Sequence, residues 1–406
     1  MWRRIIVSIV SSAATFDDDL VAERSPEADQ SAFLRRLILA GFVLRVLLAL
    51  VLEWTGYSRS LAPDEETYAQ EGWQLALWWS GETFVRPWRM SADQPMAYFY
   101  LNGAFFSLFG HTQVPIKIVN ALVGAFSCRY LFLLARDLYG AAVARRAALL
   151  FEFFPSLVLW STVNIRDVWV LLLILYISYQ SQQMSRGYSH LALARLLGAV
   201  YLLSQFRDYL FFVVALPPVV SLLLGRRQHF VRNVLLAGLA SLALLVLVQQ
   251  GAVRQRTTAR MSLEAISEVR RDMATGGSAF HGQVDVSSPA KALVFLPVGV
   301  AYFLFSPFPW QITSTLKLFS VPEMLLFYGL TPAIVRGIAH IVRTRLRDNL
   351  QVLLLTSLLT VSYSLGEGNV GTLYRHRAQA LGFLLCFAAL GLELKRTRDE
   401  VGEQIA

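Results

Sequence analysis

The sequence predicts an all-α, polytopic integral membrane protein with about 10 transmembrane helices plus re-entrant or interfacial helices in the outer loops. Three observations predict this class: hydrophobic residues make up 55% of the 406 residues, charged residues make up only 16%, and the mean hydropathy is +0.48. Soluble domains carry roughly 25% charged residues, because a water-exposed surface must be largely polar. The composition therefore argues against an ordinary soluble enzyme.

Ten apolar segments account for the predicted spans, and several of them are nearer 16 than 20 residues. They lie at about 36–54, 114–134, 147–163, 168–184, 191–206, 209–225, 232–250, 321–337, 350–365 and 378–394. Two shorter apolar stretches, 96–109 and 292–306, are bracketed by prolines. Because proline interrupts helices and these stretches are short, they suit re-entrant or interfacial helices better than full crossings.

The basic residues predict the orientation of the spans. The formal net charge is +9, and the basic residues comprise four lysines and thirty-three arginines. With the amino terminus inside, the basic clusters between the spans all fall on the cytoplasmic side, as the positive-inside rule requires. Those clusters contain Arg136, Arg145, Arg146, Arg186, Arg226, Arg227, Arg232, Arg336, Arg343, Arg345, Arg347, Lys395, Arg396 and Arg398.

This orientation divides the chain into a membrane domain with two cytoplasmic ends. We interpret residues 1–34 as a cytoplasmic, partly disordered leader, 35–394 as the transmembrane domain, and 395–406 as a cytoplasmic tail. A full crossing at 292–306 would move the cluster around Arg343 to the outside, so the charge rule favours the re-entrant interpretation of that stretch. The main outer loops are then 55–95, 251–291 and 366–377.

The first outer loop is net acidic and contains a predicted helix start. Pro63 stands where the helix would begin, and Asp64 and Glu65 follow in its first turn, where acids complement the helix dipole. Adjacent carboxylates at this position could also act as a general base toward a hydroxyl or amine acceptor. Simple dipole complementation remains the competing explanation.

Arginines on the outer face are the less expected choice under the positive-inside rule, so they are candidates for binding anions. Two turns repeat an Arg-Asp pattern, at Arg166-Asp167 and Arg207-Asp208, although snorkelling to the headgroups explains each of them singly. A denser cluster consists of Tyr374, Arg375, His376 and Arg377. Because arginine forks bind phosphate oxygens bidentately, this cluster predicts a phosphate site at the outer leaflet.

Two further features leave alternatives open. Arg45 and Glu152 would lie within spans, where ionisable groups face a polar cavity or each other, and the sequence does not decide whether they pair. Loop 251–291 contains an amphipathic stretch followed by Gly276-Gly277. That pattern predicts a surface helix and a mobile flap, and an inert surface loop is the alternative.

Neither a metal site nor a cofactor nor a nucleic acid is indicated. Cys128 and Cys386 lie inside apolar stretches, and the six histidines are scattered without helical ligand spacing, so no metal cage is predicted. The basic patches are separated by membrane spans and do not gather on one soluble face, so nucleic acid is an improbable partner. The expected partners are membrane lipids and the substrates discussed next.

Several short motifs follow one another in order between residues 40 and 180. The first outer loop contains an Asp-Glu-x-x-Tyr pattern at Asp64, Glu65 and Tyr68. It is followed by Gln94-Pro95-Met-Ala-Tyr98, Leu108-Phe-Gly110, Ala135-Arg-Asp-Leu-Tyr-Gly140 and Phe154-Pro155-Ser156. This order resembles the GT-C superfamily of membrane glycosyltransferases, particularly the bacterial relatives of the protein mannosyltransferases and the lipid A aminoarabinose transferase. The later half of the chain resembles them only in hydropathy and in its large outer loop.

The resemblance implies a glycosyltransferase of the bacterial inner membrane whose active site faces the periplasm or exterior. The implied donor is a polyprenyl-phosphate-linked sugar, the implied acceptor is a lipid, a glycan or a protein, and the reaction is an inverting direct displacement without a metal. Asp64 would be the base, and Glu65 would orient it or the acceptor. The lipid phosphate would be held by preorganised positive charge and neighbouring side chains, at Arg375, His376 and Arg377, with Tyr68, Tyr374, Arg166 and Arg207 as further substrate-binding candidates.

Two competing functions remain open. A polysaccharide polymerase or O-antigen ligase would also use arginines at the outer face, with a lipid-pyrophosphate-linked glycan as donor, but the acidic pair in the first loop favours the transferase. A lipid transporter or flippase is less favoured, because transporters tend to be built from paired repeats with broken helices, and this sequence has no clear internal repeat.

Overall fold

The computed structural model describes residues 26–85, 87, 96–187, 189–224, 238, 242–244, 262–274, 278–312, 318 and 320–405. Within those ranges the regular secondary structure is helical, and the β-type pairing is one isolated bridge between Ala279 and Asn369. The predicted all-α class is therefore confirmed for the described residues. Residues 1–25, Gln94-Pro95, Gly276-Gly277 and most of the predicted span 232–250 lie outside them.

Ten helices occupy the described residues from 26 to 224. They are α1 (Pro26–Thr55), α2 (Tyr57–Leu61), α3 (Asp64–Ser80), α4 (Ala97–Phe109), α5 (Val114–Tyr139), α6 (Ala141–Glu152), α7 (Pro155–Trp160), α8 (Asp167–Arg186), α9 (His190–Phe206) and α10 (Leu210–Leu224). The first helix already begins at Pro26, inside the segment that we assigned to the leader. The short stretch predicted at 96–109 forms α4, which packs against the loop helix α3.

Five further helices follow in the described part of the second half. They are α11 (Leu263–Met273), α12 (Pro289–Phe305), α13 (Val321–Thr344), α14 (Leu350–Gly366) and α15 (Val370–Ile405), with short 3-10 turns at Pro309–Gln311 and Arg347–Asn349. The predicted last span, 378–394, is therefore the middle of a much longer helix. The basic outer segment before it is largely helical as well, because α15 starts at Val370.

Within the described ranges, five segments are long and apolar enough to cross a membrane. They are Glu27–Thr55, Val114–Tyr139, Val321–Thr344, Arg347–Gly366 and Val370–Val401. Helices α9, α10 and α12 are apolar but shorter, with 17, 15 and 17 residues. Seventeen helical residues extend about 25 Å, somewhat less than the hydrocarbon core of roughly 30 Å. The count of about ten spans therefore stays a prediction.

The segment predicted as a single span at 147–163 is two short helices. Helix α6 ends at Glu152, Phe154 is extended with φ −69° and ψ 125°, and α7 starts with Pro155. Proline has no backbone N–H to continue a helix, and it disfavours helical geometry at the residue before it. The Phe-Pro motif noted in the sequence is thus the point where this membrane segment breaks.

Helix α15 forms the centre of the bundle. It packs against α13, α6, α14, α12 and α8, and its residues from Arg377 to Gly391 are buried throughout. Its closest approach is to α13, where Gly337 lies against the backbone of Phe387 and Gly391 lies against the backbone of Ala333. Small residues at helix crossings allow backbones in membranes to approach closely, which explains both glycines.

Replacing Gly391 by alanine is expected to destabilise the protein by about 1–3 kcal/mol, because the added Cβ would overlap the carbonyl oxygen of Ala333. The measurement is the unfolding free energy in detergent. Gly329→Ala on α13 is the matched control, since a Cβ there meets nothing within 4 Å. This control should be slightly more stable than the wild type, by about 0.5–1 kcal/mol, because alanine favours a helix more than glycine does. An equal loss of unfolding free energy in both variants would contradict the close-packing account.

The two ionisable residues singled out within the spans pair with each other. Arg45 of α1 contacts Glu152 at the end of α6, with 2.5 Å between Nη1 and Oε1, and both side chains are fully buried. Arg45 Nε also donates to the Ser161 hydroxyl at 3.0 Å. Gly41 leaves the room that the Glu152 carboxylate occupies, because a Cβ there would overlap it. The pair therefore joins α1 to the broken α6–α7 segment.

Those loops predicted to be cytoplasmic that the structure describes meet at one end of the bundle, which we call the basic end. Arg186 Nη1 lies 3.1 Å from Asp137 Oδ2, Arg345 donates to the Leu138 carbonyl at 2.9 Å, and Tyr139 donates to Asn349 Oδ1 at 2.6 Å. Arg146 contacts Glu393 near the carboxyl end of α15. The start of α15 and the loop helix α3 therefore lie at the opposite end.

Candidate active site

The loop helix α3 separates the two predicted catalytic carboxylates. It begins at Asp64, directly after Pro63, with Asp64, Glu65 and Glu66 in its first turn, so the predicted helix start is confirmed. Consecutive helical residues point in different directions, about 100° apart around the axis. As a result the Asp64 side chain is 53% exposed, whereas Glu65 is fully buried.

The Glu65 carboxylate is held by a buried lysine. Lys117, near the start of α5, contacts Glu65 and also Glu53 at the end of α1, with 2.5 Å between Nζ and Oε2 in the second pair. The Ser58 hydroxyl lies 3.2 Å from the same Nζ. Burial raises the pKa of Glu65, and the Lys117 ammonium opposes that rise. This ion cluster fixes the start of α3 to α1 and α5.

Asp64 belongs instead to a chain of alternating charges that we call the Asp–Arg chain. Its Oδ2 accepts a hydrogen bond from Arg375 Nη1 at 2.7 Å. Arg375 Nε lies 3.6 Å from Asp167 Oδ2, and Asp167 Oδ1 accepts from Arg207 Nη2 at 3.0 Å. The two Arg-Asp turns noted in the sequence therefore meet, the arginine of the second pairing with the aspartate of the first.

Exposure decreases along this chain from Asp64 inward. The Arg375 side chain is 16% exposed, and Asp167 and Arg207 are almost completely buried. The exposed end therefore presents one carboxylate and one guanidinium side by side, supported from below by a buried ion pair. Such preorganised charges keep their position without having to reorganise when a charged ligand binds.

His376 extends the cluster on the other side of Asp167. Its Nδ1 lies 2.7 Å from Glu367 Oε1, and its Nε2 lies 3.7 Å from Asp167 Oδ1. Beneath the ring, Tyr363 donates to Gln379 Oε1 at 2.5 Å and receives a long contact of 3.4 Å from Arg207 Nη1. His376 is thus buried among polar partners, one layer behind Arg375.

The side chains of the predicted cluster from Tyr374 to Arg377 point in different directions, because these residues lie on helix α15. Tyr374 donates to Glu323 Oε2 at 2.7 Å, and Arg377 Nη2 lies 3.0 Å from Glu323 Oε1. Arg377, fully buried, also donates to the carbonyl of Leu304 at 2.8 Å and to that of Ser306 at 2.9 Å. Residues three apart share a helix face, so these two side chains anchor α15 to α12 and α13 while Arg375 faces Asp64.

The remaining predicted site residues lie at the margins of the cluster. Arg166 donates to the Phe206 carbonyl at 2.9 Å, which ties the two Arg-Asp turns together. Tyr68 is buried, with its ring packed edge-on against Tyr98 at 4.9 Å between centroids. Tyr98 in turn donates to Asn164 Oδ1 at 2.7 Å. Tyr68 therefore supports α3 from beneath, close to the turn that carries Arg166.

Four residues that the sequence analysis left out of the site hold it together: Asp167, Lys117, Glu323 and Glu367. Each is a buried charged group, and the partners of Asp167, Lys117 and Glu323 lie far away in sequence. A signal was available for Asp167, because its Arg-Asp turn is repeated at 207–208, and for Glu323, because it lies at the start of an apolar span. The pairing partners could not be read from either signal.

The loop between α10 and α12 contributes a helix that packs beside the cluster. The predicted amphipathic stretch forms α11, and its Arg270 is fully buried between the rings of Phe280 and Phe295, at 4.7 and 4.3 Å from their centroids. Arg270 also donates to the backbone carbonyl of Glu367, the residue that contacts His376. Burial lowers the pKa of Arg270 to about 10, so the group remains charged at neutral pH.

Arg270→Gln is expected to loosen α11, since it removes charge-assisted hydrogen bonds worth about 1.5–3 kcal/mol. Hydrogen exchange of the α11 amides should then become roughly 10–100-fold faster, because exchange reports local opening. Arg271→Gln, at the exposed neighbour, should leave the rates unchanged. Equal exchange in both variants would refute the idea that Arg270 fastens this helix.

Among the residues that the structure describes, no group of three or more His, Cys, Asp or Glu side chains could hold a metal ion. The Asp–Arg chain offers one accessible carboxylate and one guanidinium, with buried charges behind them.

Comparison with known proteins adds two findings. The family of dolichyl-phosphate-mannose-protein mannosyltransferases matches residues 93–250. The fold is similar to the crystal structure of ArnT from Cupriavidus metallidurans bound to undecaprenyl phosphate, with a TM-score of 0.51 and 16% sequence identity. The match covers 85% of this chain but only 59% of that chain. No curated protein sequence matches.

The matched family segment begins at residue 93, near the end of the first outer loop, and includes α4 to α10, so it contains Asp167 and Arg207 but not Asp64 or Arg375. The similarity in fold extends over most of the remaining chain. The family model thus matches less than half of this chain, and the structural match shows a shared fold.

Proposed function

We propose that the chain is a membrane glycosyltransferase that moves a sugar from a polyprenyl-phosphate donor to an acceptor lipid, glycan or protein. The observation that carries this proposal is the contact between the half-exposed Asp64 carboxylate and Arg375, at the end of the bundle opposite the basic end. It pairs a potential base with a potential phosphate ligand. The names of the similar proteins, a mannosyltransferase family and an undecaprenyl phosphate complex, support the same donor class.

In the proposed reaction Asp64 accepts the proton of the acceptor hydroxyl or amine. The acceptor atom attacks the anomeric carbon of the sugar while the bond from that carbon to the phosphate oxygen breaks, and the configuration inverts. The polyprenyl phosphate leaves with the bonding electrons, and its negative charge is stabilised by the Arg375 guanidinium. A general base and a preorganised cation are the two groups that such a displacement needs.

Arg375 contacts two carboxylates, Asp64 through Nη1 and Asp167 through Nε, and a bound phosphate would affect these two contacts differently. A donor phosphate that binds Nη1 would replace Asp64 there, whereas Asp167 would continue to hold the Nε side. Because Asp64 is half exposed, water or an acceptor can take up the contact that it gives up. Donor binding would in this way release the base at the moment when it is needed.

The other site residues receive supporting roles in this proposal. Glu65 positions Asp64, because its pairing with Lys117 fixes the first turn of α3. Arg207 and His376 hold Asp167, and Arg166 holds the adjoining turn. Contacts with Glu323 favour an anchoring role for Tyr374 and Arg377, so we leave these two out of the phosphate site.

The proposed location is a bacterial inner membrane, with the basic end in the cytoplasm and Asp64 facing the periplasm. The charge distribution supports this orientation, since the arginine-rich loops in the described part of the chain gather at the basic end and the positive-inside rule places such loops in the cytoplasm. A cysteine introduced at Thr372 should accordingly react with a membrane-impermeant reagent from outside. Labelling only from the cytoplasm would reverse the proposed orientation.

Donor specificity tests the function directly. The purified full chain in proteoliposomes would be given membrane extract as acceptor and either a polyprenyl-monophosphate sugar or a polyprenyl-pyrophosphate glycan. We expect release of polyprenyl phosphate from the first donor only. Turnover of only the pyrophosphate donor would support a polymerase or ligase instead, and turnover of neither would contradict a lipid-linked transferase.

A further inference from the structure

A groove on the surface of the bundle lies between α1 and α5. The two helices run antiparallel, because Glu53 near the end of α1 contacts Lys117 near the start of α5. The groove encloses about 540 Å³, within the usual range of ligand-binding pockets. It lies along the surface of the bundle and does not belong to the Asp–Arg chain.

The groove is polar at one end and apolar at the other. The polar lining residues, Gln30, Ser31, Arg35, Arg129 and Arg136, all lie towards the start of α1 and the end of α5, where Leu34, Phe132 and Leu133 also line the groove. Farther along, the lining is apolar and includes Leu39 and Phe42 from α1 and Leu122 and Phe126 from α5. Its polar end coincides with the basic end, since Asp137 beside it receives Arg186. This division matches a lipid, which has a charged headgroup and an apolar chain.

Arg129 needs an anionic partner more than Arg35 and Arg136 do, because it lies farther from the end of its helix. Arg129 is exposed on the surface of α5 and lies ten residues before the helix ends at Tyr139, which is about 15 Å along the axis. An exposed guanidinium at that depth of a membrane span is costly unless it finds an anion or reaches the headgroups. Arg136 and Arg129 are seven residues apart, on the same face, so their guanidinium groups can share one anion.

The arginines of the groove are largely uncompensated among the described residues. Arg136 has one weak ion pair, with 3.9 Å between its Nε and Asp137 Oδ1. Asp137 itself is shared with Arg186 at 3.1 Å and with Gln183. Three guanidinium groups therefore converge on the polar end of an apolar groove with little acidic charge of the protein to balance them. Guanidinium groups bind phosphate oxygens in short, charge-assisted hydrogen bonds.

We propose that this groove binds an anionic phospholipid of the surrounding bilayer. Its phosphate contacts Arg35, Arg129 and Arg136, and an acyl chain lies between α1 and α5. Free phosphate would leave the apolar wall exposed to lipid, and a zwitterionic phospholipid would bring an additional positive charge to three arginines. The bound lipid neutralises these groups and packs the seam between α1 and α5, so it stabilises the folded chain.

The test is thermal unfolding of the full chain in neutral detergent with added phosphatidylglycerol or phosphatidylcholine. A ligand that binds only the folded state raises the unfolding temperature, and we expect a rise of about 3–6 °C with phosphatidylglycerol alone. Arg35→Gln combined with Arg129→Gln should abolish that rise. The matched control, Arg343→Gln with Arg398→Gln, removes two exposed arginines elsewhere and should retain it.

Several results would overturn the proposal. One is an equal response to both lipids, and another is an equal loss of the response in the groove and control variants. A rise with polyprenyl phosphate but not with phosphatidylglycerol would identify a different lipid. If the wild type does not respond but the variant with Asp17, Asp18 and Asp19 changed to Asn does, the acidic leader is the occupant.

A conservative variant keeps the test decisive even if the double variant folds poorly. Arg129→Lys retains the positive charge and should retain most of the response to phosphatidylglycerol, whereas Arg129→Gln should lose most of it. An identical response in these two single variants would also contradict the proposal. The readout does not depend on sugar transfer, so failure of the proposed function would leave this result unaffected.

Discussion

Asp64→Asn is expected to lower the rate of sugar transfer by a factor of about 10²–10⁴, the range typical for loss of a general acid or base. Asparagine has the same shape and can still accept a hydrogen bond from Arg375, but it cannot take up the acceptor proton. Because Asp64 is half exposed, the variant should fold normally. The measurement is release of polyprenyl phosphate from the donor under single-turnover conditions.

The matched control is Glu66→Gln, two positions along the same helix. Glu66 is exposed, contacts Arg59 only at 3.9 Å and accepts a hydrogen bond from Gln70. Its loss should leave the rate within about twofold, because exposed ion pairs contribute little. If both variants transfer sugar at the wild-type rate, the base is not Asp64.

Arg375→Ala is expected to weaken donor binding by roughly 10–100-fold, which corresponds to the loss of charge-assisted hydrogen bonds worth about 1.5–3 kcal/mol. The change also removes one of the cations next to Asp167, although Arg207 remains at 3.0 Å. Arg375→Lys should recover part of the affinity, since lysine keeps the charge but cannot bind two oxygens at once. Equilibrium binding of labelled polyprenyl phosphate measures the effect separately from the chemical step.

Arg396→Ala provides the control on the same helix. Arg396 pairs with Glu393 and Glu400, near the basic end, and is half exposed. Its removal should not change donor affinity. Affinity lost equally in both variants would indicate a general effect of positive charge, and unchanged affinity in Arg375→Ala would place the phosphate elsewhere.

Hydropathy was sufficient to predict the fold class and most of the helices. The predicted spans at 36–54, 114–134 and 350–365 lie inside α1, α5 and α14, because long apolar runs in a membrane must form hydrogen-bonded helices. The wrong prediction of a single span at 147–163 also has a physical cause. A window of apolar residues does not reveal that Pro155 stops the helix, so the average suggested one span where the backbone forms two helices.

The candidate site was predicted in part. The start of a helix at Asp64 and a role for Arg375 both followed from local patterns, and the structure brings these two residues into contact. The sequence could not separate Arg375 from Arg377, because which face of α15 meets which neighbour depends on packing. Arg377 contacts Glu323, 54 residues away in sequence, and no local pattern encodes such a pairing.

The two Arg-Asp turns illustrate the same limit. Each turn is an ordinary membrane-boundary pattern when taken alone, and repetition was the only sign that they were related. Their functional meaning depends on the pairing of Arg207 with Asp167 across 40 residues, which places a buried carboxylate behind Arg375. Lys117 is similar, since a lone lysine at the start of a span gives no sign that it holds Glu65.

A structure of the full chain with polyprenyl phosphate bound would test the central claim most directly. We expect a phosphate oxygen within about 3 Å of the Arg375 guanidinium, the distance of a charge-assisted hydrogen bond, with the Asp64 carboxylate released from Nη1. A phosphate bound away from Arg375, with the Asp64–Arg375 contact intact, would contradict the account.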